Sequence, residues 1–196
     1  MSIFQELCDI FNLHSMRWEL MNWYALYVET GYEERVAKFL SDKFSSHQLR
    51  AVVPKRRLPE RKQGLITHPL KIMFPGYLLI QTNLDTKTYY DIKETPRIFR
   101  LLNSNKQTRQ RSDGLLEVSQ IQEAEIRPIL KLLDTDGVLG YSTLMMTGSK
   151  ITVKKGPLAG KEGIIKKVNR RKKRAKIAID FLGDERMIDV GIEILE

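Results

Sequence analysis

The chain has 196 residues, 42% of them hydrophobic, and a formal net charge of +9. This length accommodates two small domains or one medium one, and the hydrophobic content supports a folded core rather than a disordered chain. No apolar run is long enough to cross a bilayer, and the first 21 residues lack the basic start of a secretory signal. The single cysteine, Cys8, excludes an internal disulfide framework and a cysteine-based zinc site, and it fits a reducing cytoplasm.

The positive charge is concentrated in two parts of the chain. Residues 147–196 contain 13 Lys/Arg against 7 Asp/Glu, and residues 22–133 contain 19 against 12. Residues 1–21 and 134–146 each carry a net charge of −2. This distribution predicts two basic domains joined by an acidic linker, and a basic chain of this kind favours a polyanionic partner.

Residues 1–21 form an N-terminal extension in which apolar residues recur at roughly helical spacing. The pattern predicts a mildly amphipathic leader, with a partner-binding helix as the alternative. The aromatic and β-branched run Trp23–Val28 predicts the first strand. A helix over Tyr32–Phe44 and a second strand over Leu49–Val53 follow, because apolar residues share one face of the helix and Pro54 closes the strand.

The stretch 71–81 is the centre of the N-terminal half. Its residues Tyr77, Leu78, Leu79 and Ile80 do not alternate with polar ones, which predicts a strand buried on both faces. The preceding Pro-Gly pair predicts a turn that aims Phe74 out of the sheet. Upstream, the basic run 55–64 is interrupted by Pro and Gly and predicts a hairpin or loop.

The rest of this half completes one domain. A helix is predicted over Asp85–Lys93 and a strand over Ile98–Leu102. Ser119 has capping-box spacing to Gln122 and predicts the start of a last helix, which Pro128 should kink or divide. The β-α-β-β-α-β-α order predicts a ferredoxin-like α+β domain over residues 22–133, with a mixed sheet and helices on its faces.

Residues 134–146 hold two glycines and show no helical or strand period, which predicts a linker that lets the second domain move freely or fold back. Residues 147–196 predict a small five-stranded β-barrel, because short strand patterns alternate with glycine turns. The predicted strands are Lys150–Val153, Gly163–Val168, Ala175–Asp180, Met187–Val190 and Ile192–Leu195.

The segment 169–176 places six positive charges in eight positions. A solvated loop is the ordinary interpretation of such a run, but together with the basic run at 55–62 it favours nucleic-acid binding through counterion release. Stacking aromatics are scarce here, which favours duplex or hairpin RNA held through its backbone. The candidate nucleic-acid-binding residues are Lys55, Arg56, Arg57, Arg61, Lys62, Lys154, Lys155, Lys166, Lys167, Arg170, Arg171, Lys172, Lys173, Arg174 and Lys176.

Three motifs resemble the NusG family of transcription elongation factors over residues 22–196. They are Trp23-Tyr24, Phe74-Pro75-Gly76-Tyr77 and the KOW motif at 153–163. The resemblance implies an N-terminal NGN domain followed by a KOW barrel. It also implies that a hydrophobic pocket grips the clamp helices of the largest subunit of RNA polymerase. The matching positions are Trp23, Tyr24, Phe74, Tyr77 and Ile98, although aromatics beside strands are also typical of a core.

Two departures from the family pattern favour a specialised paralog. The basic run at 169–176 replaces mixed or acidic residues. Asp184 and Arg186-Met187 replace the residues with which the family meets Rho or ribosomal protein S-ten, which weighs against both partners. The chain resembles the LoaP group, antiterminators that recognise an RNA hairpin in the leader of long operons. Another paralog, RfaH, is recruited through non-template DNA, so that DNA is the alternative nucleic-acid partner.

Three classes of function remain after this comparison of motifs. The first is a monomeric cytoplasmic factor that binds RNA polymerase and suppresses pausing and termination, either as a specialised antiterminator or as a housekeeping NusG-type factor. The second is a ribosome-associated RNA-binding protein, since such proteins share the KOW motif. An enzyme is the third, and the scattered histidines His14, His47 and His68, with no nucleophile motif or paired carboxylates, weigh against it. No cofactor or metal site is expected.

Overall fold

The computed structural model describes residues 21–102, 120–148 and 150–195. The predicted N-terminal extension 1–21, except its last residue, and the predicted helix cap Ser119 therefore lie outside the described residues. The helices, in chain order, are α1 (Glu33–Lys43), α2 (Thr86–Lys93) and α3 (Glu123–Leu130). The strands are β1 (Asn22–Val28), β2 (Leu49–Val52), β3 (Lys55–Arg57), β4 (Glu60–Lys62), β5 (Leu65–Thr67), β6 (Leu70–Ile72), β7 (Tyr77–Thr82), β8 (Ile98–Leu101), β9 (Val138–Leu139), β10 (Ser142–Thr147), β11 (Lys150–Lys155), β12 (Ile165–Asn169), β13 (Arg174–Phe181) and β14 (Asp184–Leu195).

The chain divides into two compact units. The first falls within Met1–Val52 and Gly76–Gln122, and the second within Val53–Pro75 and Glu123–Glu196. These units differ from the predicted domains 22–133 and 147–196, because the segments 53–75 and 123–146 belong to the second unit. The reason is a backbone ladder: β3 pairs with β6 on one side and in parallel with β9 on the other.

The first unit is a four-stranded sheet in the order β2-β7-β1-β8, with α1 and α2 packed against it. Every neighbouring pair of strands in it is antiparallel. The prediction of a mixed sheet was wrong in this detail. The helix α1 returns the chain so that β2 runs in the direction of β1, but β7 lies between the two strands. In the same way, β7 and β8 run in the same direction, but β1 lies between them.

The strand β7 is the buried centre of this sheet, as predicted. Its residues Leu78, Leu79 and Ile80 are fully buried, and β1 and β2 pair with its two edges. The absence of alternating polar residues therefore correctly predicted burial on both faces of the sheet.

The turn before β7 is held by a buried carboxylate. The backbone N–H of Gly76 donates to Glu33 Oε1 at 2.7 Å, and the N–H of Gly31 donates to Glu33 Oε2 at 2.8 Å. Glu33 is 0% exposed. Gly76 has φ +83° and packs closely on Thr30, so a side chain there would be strained. Glu33 thus ties the predicted Pro-Gly turn to the start of α1.

We expect Glu33→Ala to lower the free energy of unfolding by about 2–3 kcal/mol, because the buried N–H of Gly76 loses its acceptor. Urea denaturation followed by circular dichroism measures this change. The control is Glu34→Ala in the same helical turn, which is exposed and should change the stability by less than about 0.5 kcal/mol. Equal effects of the two variants would contradict the role given to Glu33.

The second unit contains a five-stranded sheet in the order β11-β10-β14-β13-β12. It also contains the three-stranded sheet β6-β3-β9 and the β4-β5 hairpin. The predicted α+β class with a five-stranded barrel is confirmed, but two of its strands differ from the prediction. β10 begins inside the predicted linker 134–146 and ends one residue beyond it, and the two last predicted strands form one strand, β14, that passes through Gly191.

The prediction that 134–146 lacks regular structure was wrong because the first inward residue of β10 is polar. Ser142 and Leu144 are buried and alternate with half-buried neighbours. The hydroxyl of Ser142 accepts the N–H of Leu158 at 3.0 Å, which satisfies it inside the barrel. Because a serine occupies an inward position, the sequence of β10 does not show the alternation of apolar and polar residues that is typical of a strand.

The last helix of the chain also differs from the prediction. It begins at Glu123 rather than near residue 120, and it runs through Pro128 to end two residues later. Lys131 N–H still donates to the Arg127 carbonyl at 3.0 Å. The proline therefore sits in the last turn, where a kink has little helix left to redirect.

Candidate functional site

The structure brings the two predicted basic segments together within the second unit. Arg174, at the start of β13, donates from Nε and from a terminal nitrogen to the carbonyl oxygen of Pro59, at 3.2 and 2.6 Å. Pro59 lies between β3 and β4. The base of the 169–176 hairpin is therefore bonded to the 55–62 segment, although 115 residues separate the two in sequence.

The strand β3 comes close to β14 at Gly191. A Cβ atom at Gly191 would lie 2.7 Å from the carbonyl oxygen of Arg57 and 2.6 Å from the ring of Tyr141. Real Cβ atoms do not approach backbone so closely, so only glycine permits this contact. Tyr141 in turn shares a hydrogen bond of 2.6 Å with His68 Nδ1, and burial raises the pKa of its hydroxyl.

Side chains of three neighbouring strands form a row on the barrel beside this contact. Lys167 of β12 lies opposite Lys176 of β13, and Lys176 lies opposite Asp189 of β14. The neighbouring row, two residues along, is Asn169, Arg174 and Gly191. Residues at these spacings point to the same face of a sheet. A cavity of about 210 Å³ lies there, lined by Lys167, Asn169, Lys172, Arg174, Lys176 and Asp189.

Arg56 is the unusual cation of this region. Its Nε atom is buried and has no hydrogen-bond partner in the described part of the chain. Burial lowers the pKa of its guanidinium, the charge of Asp189 opposes this shift, and the charge of Arg174 adds to it. We call Arg56, Arg174 and the residues that line the cavity the basic cleft.

The tip of the β12-β13 hairpin is exposed, and one of its cations, Lys172, also lines the cavity of the basic cleft. Asn169 Oδ1 accepts the N–H of Lys172 at 2.9 Å, and the carbonyl of Arg170 accepts the N–H of Lys173 at 3.1 Å. These bonds fix a tight turn in which Lys173 has φ +49°. The turn therefore presents its cations, Arg170, Arg171, Lys172 and Lys173, to solvent.

The other predicted basic residues lie on separate strands of the same unit. Lys154 and Lys155 are exposed at the end of β11, and Lys166 is exposed on β12. Arg61 and Lys62 are exposed on β4, Lys55 and Arg57 belong to β3, and Arg57 donates to the His68 carbonyl at 3.5 Å. The structure thus concentrates some of the predicted set in the basic cleft and distributes the rest around it.

The predicted polymerase-binding residues are found in different surroundings. Trp23 and Tyr24 are buried in the first unit, where Tyr77 and Ile98 are half-buried. Phe74 belongs to the second unit and is only 5% exposed. Its ring stacks on that of Phe181, with centroids 4.0 Å apart and an interplanar angle of 16°.

A surface of exposed aromatic residues on the first unit was not predicted. Tyr27 of β1 is 37% exposed and Phe99 of β8 is 60% exposed, with ring centroids 5.4 Å apart. Tyr77 lies opposite Tyr27 in the β1-β7 register, and their ring centroids are 5.9 Å apart. The guanidinium of Arg100 lies over the Tyr27 ring. We call Tyr27, Tyr77, Phe99 and Arg100 the aromatic surface. Only the register of the sheet reveals it, since the four residues lie on three strands.

Within residues 21–102, 120–148 and 150–195, no group of three or more His, Cys, Asp or Glu side chains could hold a metal ion. No helix in the same ranges has the length and apolar character needed to cross a membrane.

Comparisons with known proteins agree on one family. The family model described as "Transcription termination factor nusG" matches residues 21–130. The transcription termination/antitermination proteins NusG of Staphylococcus aureus strains MW2 and Newman are both 25% identical to this chain over 182 residues. Each alignment covers 89% of this chain and 94% of the relative.

A solved structure has the same fold. It is described as "Domain interaction in Thermotoga maritima NusG", and it is 18% identical to this chain with a TM-score of 0.52. The match covers 89% of this chain and 95% of that one. It supports the predicted combination of an NGN domain and a KOW barrel.

Proposed function

This chain belongs to the NusG family, and from that premise we propose that it is a transcription elongation and antitermination factor of the LoaP type. In this proposal it acts in the cytoplasm, binds RNA polymerase and a leader RNA hairpin, and performs no chemistry of its own. The observation that carries the proposal is the joining of two basic segments into one surface by the Arg174–Pro59 hydrogen bonds.

RNA binding is supported by the density and position of the positive charges. The hairpin tip presents four consecutive cations, and the basic cleft adds Lys167 and Lys176 next to it. Like charges at this density repel one another, and a phosphate backbone relieves that repulsion while it releases counterions. No aromatic ring lines the cleft cavity, which favours recognition of a duplex backbone over stacking with single-stranded bases.

Polymerase binding is supported by the aromatic surface. Exposed aromatic residues that lie together are the usual anchors of protein interfaces, and Arg100 beside them is a further anchor type. Tyr77 belongs both to this surface and to the family motif. We therefore assign Tyr27 and Phe99 to the polymerase contact together with Tyr77.

Phe74 contributes to this contact only when it leaves Phe181. The stacked geometry places the ring of Phe181 against Phe74, so a polymerase side chain cannot occupy the same space. We propose that polymerase and Phe181 compete for Phe74.

Co-purification with RNA polymerase tests the aromatic surface. We expect Phe99→Ala to weaken binding about fivefold or more, since truncated interface anchors lose more than about 1 kcal/mol. Stability should be unchanged, because the side chain is largely exposed. The control is Phe39→Ala on α1, an aromatic residue of similar character that is 47% exposed and outside the surface. Equal losses for the two variants, or none for Phe99→Ala, would remove this surface from the polymerase contact.

A further inference from the structure

One nitrogen of the half-buried Arg56 side chain, Nε, has no hydrogen-bond partner among the described residues. Arg56 Nε is buried without a hydrogen bond, while Arg174 beside it uses two of its nitrogens on Pro59. A buried polar group without a partner is unfavourable, and the penalty is larger for a charged group.

The fold holds Arg56 in this place rigidly. β3 pairs with β6 on one edge and with β9 on the other, so the backbone on both sides of Arg56 is fixed. The close approach of the Arg57 carbonyl to Gly191 sets the distance between β3 and the barrel. The backbone that carries the guanidinium is therefore pre-organised, which lowers the entropy lost when a ligand binds.

The neighbouring cavity has the charge and size for one anion. Its lining includes four cations, Lys167, Lys172, Arg174 and Lys176, and one carboxylate, Asp189. Its volume of about 210 Å³ is many times the roughly 10–15 Å³ that a cavity needs to hold one water molecule. Arginine and lysine together match a phosphate, because arginine donates in a planar fork and lysine supplies a compact charge.

We propose that Arg56 and the basic cleft form a single site for one phosphate group of an RNA backbone, built jointly by β3 and the β12-β13 hairpin. This inference rests on the proposed RNA-binding function and assigns the phosphate that fixes the position of the RNA on the protein. The exposed cations of the hairpin tip attract the polyanion, whereas the cleft holds one phosphate of it in a defined place.

Asp189 has a distinct role in this site. It lies opposite Lys176 in the β13-β14 register, and its charge acts on Arg56. A carboxylate beside the cations partly neutralises them, and it repels an incoming phosphate. Removal of this charge should therefore strengthen binding, which is opposite to the effect of removing Arg56.

The test is a titration of the full-length protein with a leader RNA hairpin at several salt concentrations. Arg56→Met should weaken binding about tenfold or more, since bonds between charged partners are strong, and should reduce the log–log salt slope by about 0.7–0.9. Arg56→Lys should keep the slope and recover part of the affinity. Asp189→Asn should raise the affinity about threefold or more. The matched control, Lys131→Met, removes an exposed cation of the same unit outside both basic segments and should change the affinity by less than about twofold.

The outcomes separate this inference from the proposed function. If Arg56→Met behaves like Lys131→Met while charge reversal of Arg170, Arg171 and Lys173, the tip cations that do not line the cavity, still abolishes RNA binding, the protein binds RNA but the phosphate site is wrong. If neither change affects binding, both proposals are wrong. Competition with inorganic pyrophosphate distinguishes the source of the phosphate. Displacement of RNA only at concentrations expected from ionic strength supports a backbone phosphate, whereas saturable displacement that Arg56→Met abolishes would assign the site to a small phosphate ligand and overturn the RNA assignment.

Discussion

Reversal of three charges at the hairpin tip is expected to abolish specific binding of a leader RNA hairpin. In the variant Arg171→Glu, Lys172→Glu and Lys173→Glu, the log–log salt slope should fall by about two units, at about 0.7–0.9 per lost phosphate contact. The affinity at low salt should fall by about two orders of magnitude or more, since three attractive contacts become repulsive. These side chains are exposed, so the fold should persist. Antitermination should decline on templates that carry the leader and remain unchanged on templates without it.

The matched control distinguishes position from net charge. Lys38→Glu, Lys87→Glu and Lys93→Glu change the net charge by the same amount on exposed positions of α1 and α2. We expect this variant to lose only the small part of RNA affinity that long-range attraction supplies. An equal loss in both variants would mean that the hairpin acts only through the overall charge. An unchanged salt slope in the tip variant would mean that the hairpin is a solvated loop, with recruitment through the 55–62 segment or non-template DNA.

The elements that could be predicted from the sequence are those whose hydrophobic pattern directly indicates which residues are buried. β7 was found because an apolar run without alternation has no face to expose, and the structure buries Leu78, Leu79 and Ile80 completely. β10 was missed because burial of Ser142 depends on one hydrogen bond from Leu158, which lies 16 residues away in sequence. Hydrophobicity alone cannot show that a polar side chain will be satisfied inside a barrel.

The candidate site was predicted in its composition but not in its geometry. Both basic segments were recognisable as charge runs, yet their contact depends on the parallel pairing of β3 with β9 and on the bare backbone of Gly191. The stack of Phe181 on Phe74 joins the end of β13 to the turn before β7, more than 100 residues away in sequence. Such long-range pairing is determined by tertiary packing, which local periodicity does not encode.

The stack between Phe74 and Phe181 leads to a second large expected effect. We expect Phe74→Ala to weaken polymerase binding by about 2–4 kcal/mol, a loss of about 30-fold to 1,000-fold, because it removes the proposed central anchor. Phe181→Leu should instead strengthen binding about twofold to tenfold. It removes the ring interaction, worth about 0.5–1.5 kcal/mol, that competes for Phe74 while it keeps an apolar side chain in the barrel.

The two variants disrupt the same contact, so a purely structural role for the stack predicts effects of the same sign. Competition between Phe181 and polymerase predicts opposite signs, because only one variant removes the residue that polymerase uses. Affinity for purified RNA polymerase, with circular dichroism and thermal unfolding of each variant as folding controls, measures the difference. RNA binding should stay within about twofold in both variants, since neither ring belongs to the basic cleft. Equal weakening of polymerase binding by both changes would show that Phe74 serves packing alone and that the aromatic surface carries the contact without it.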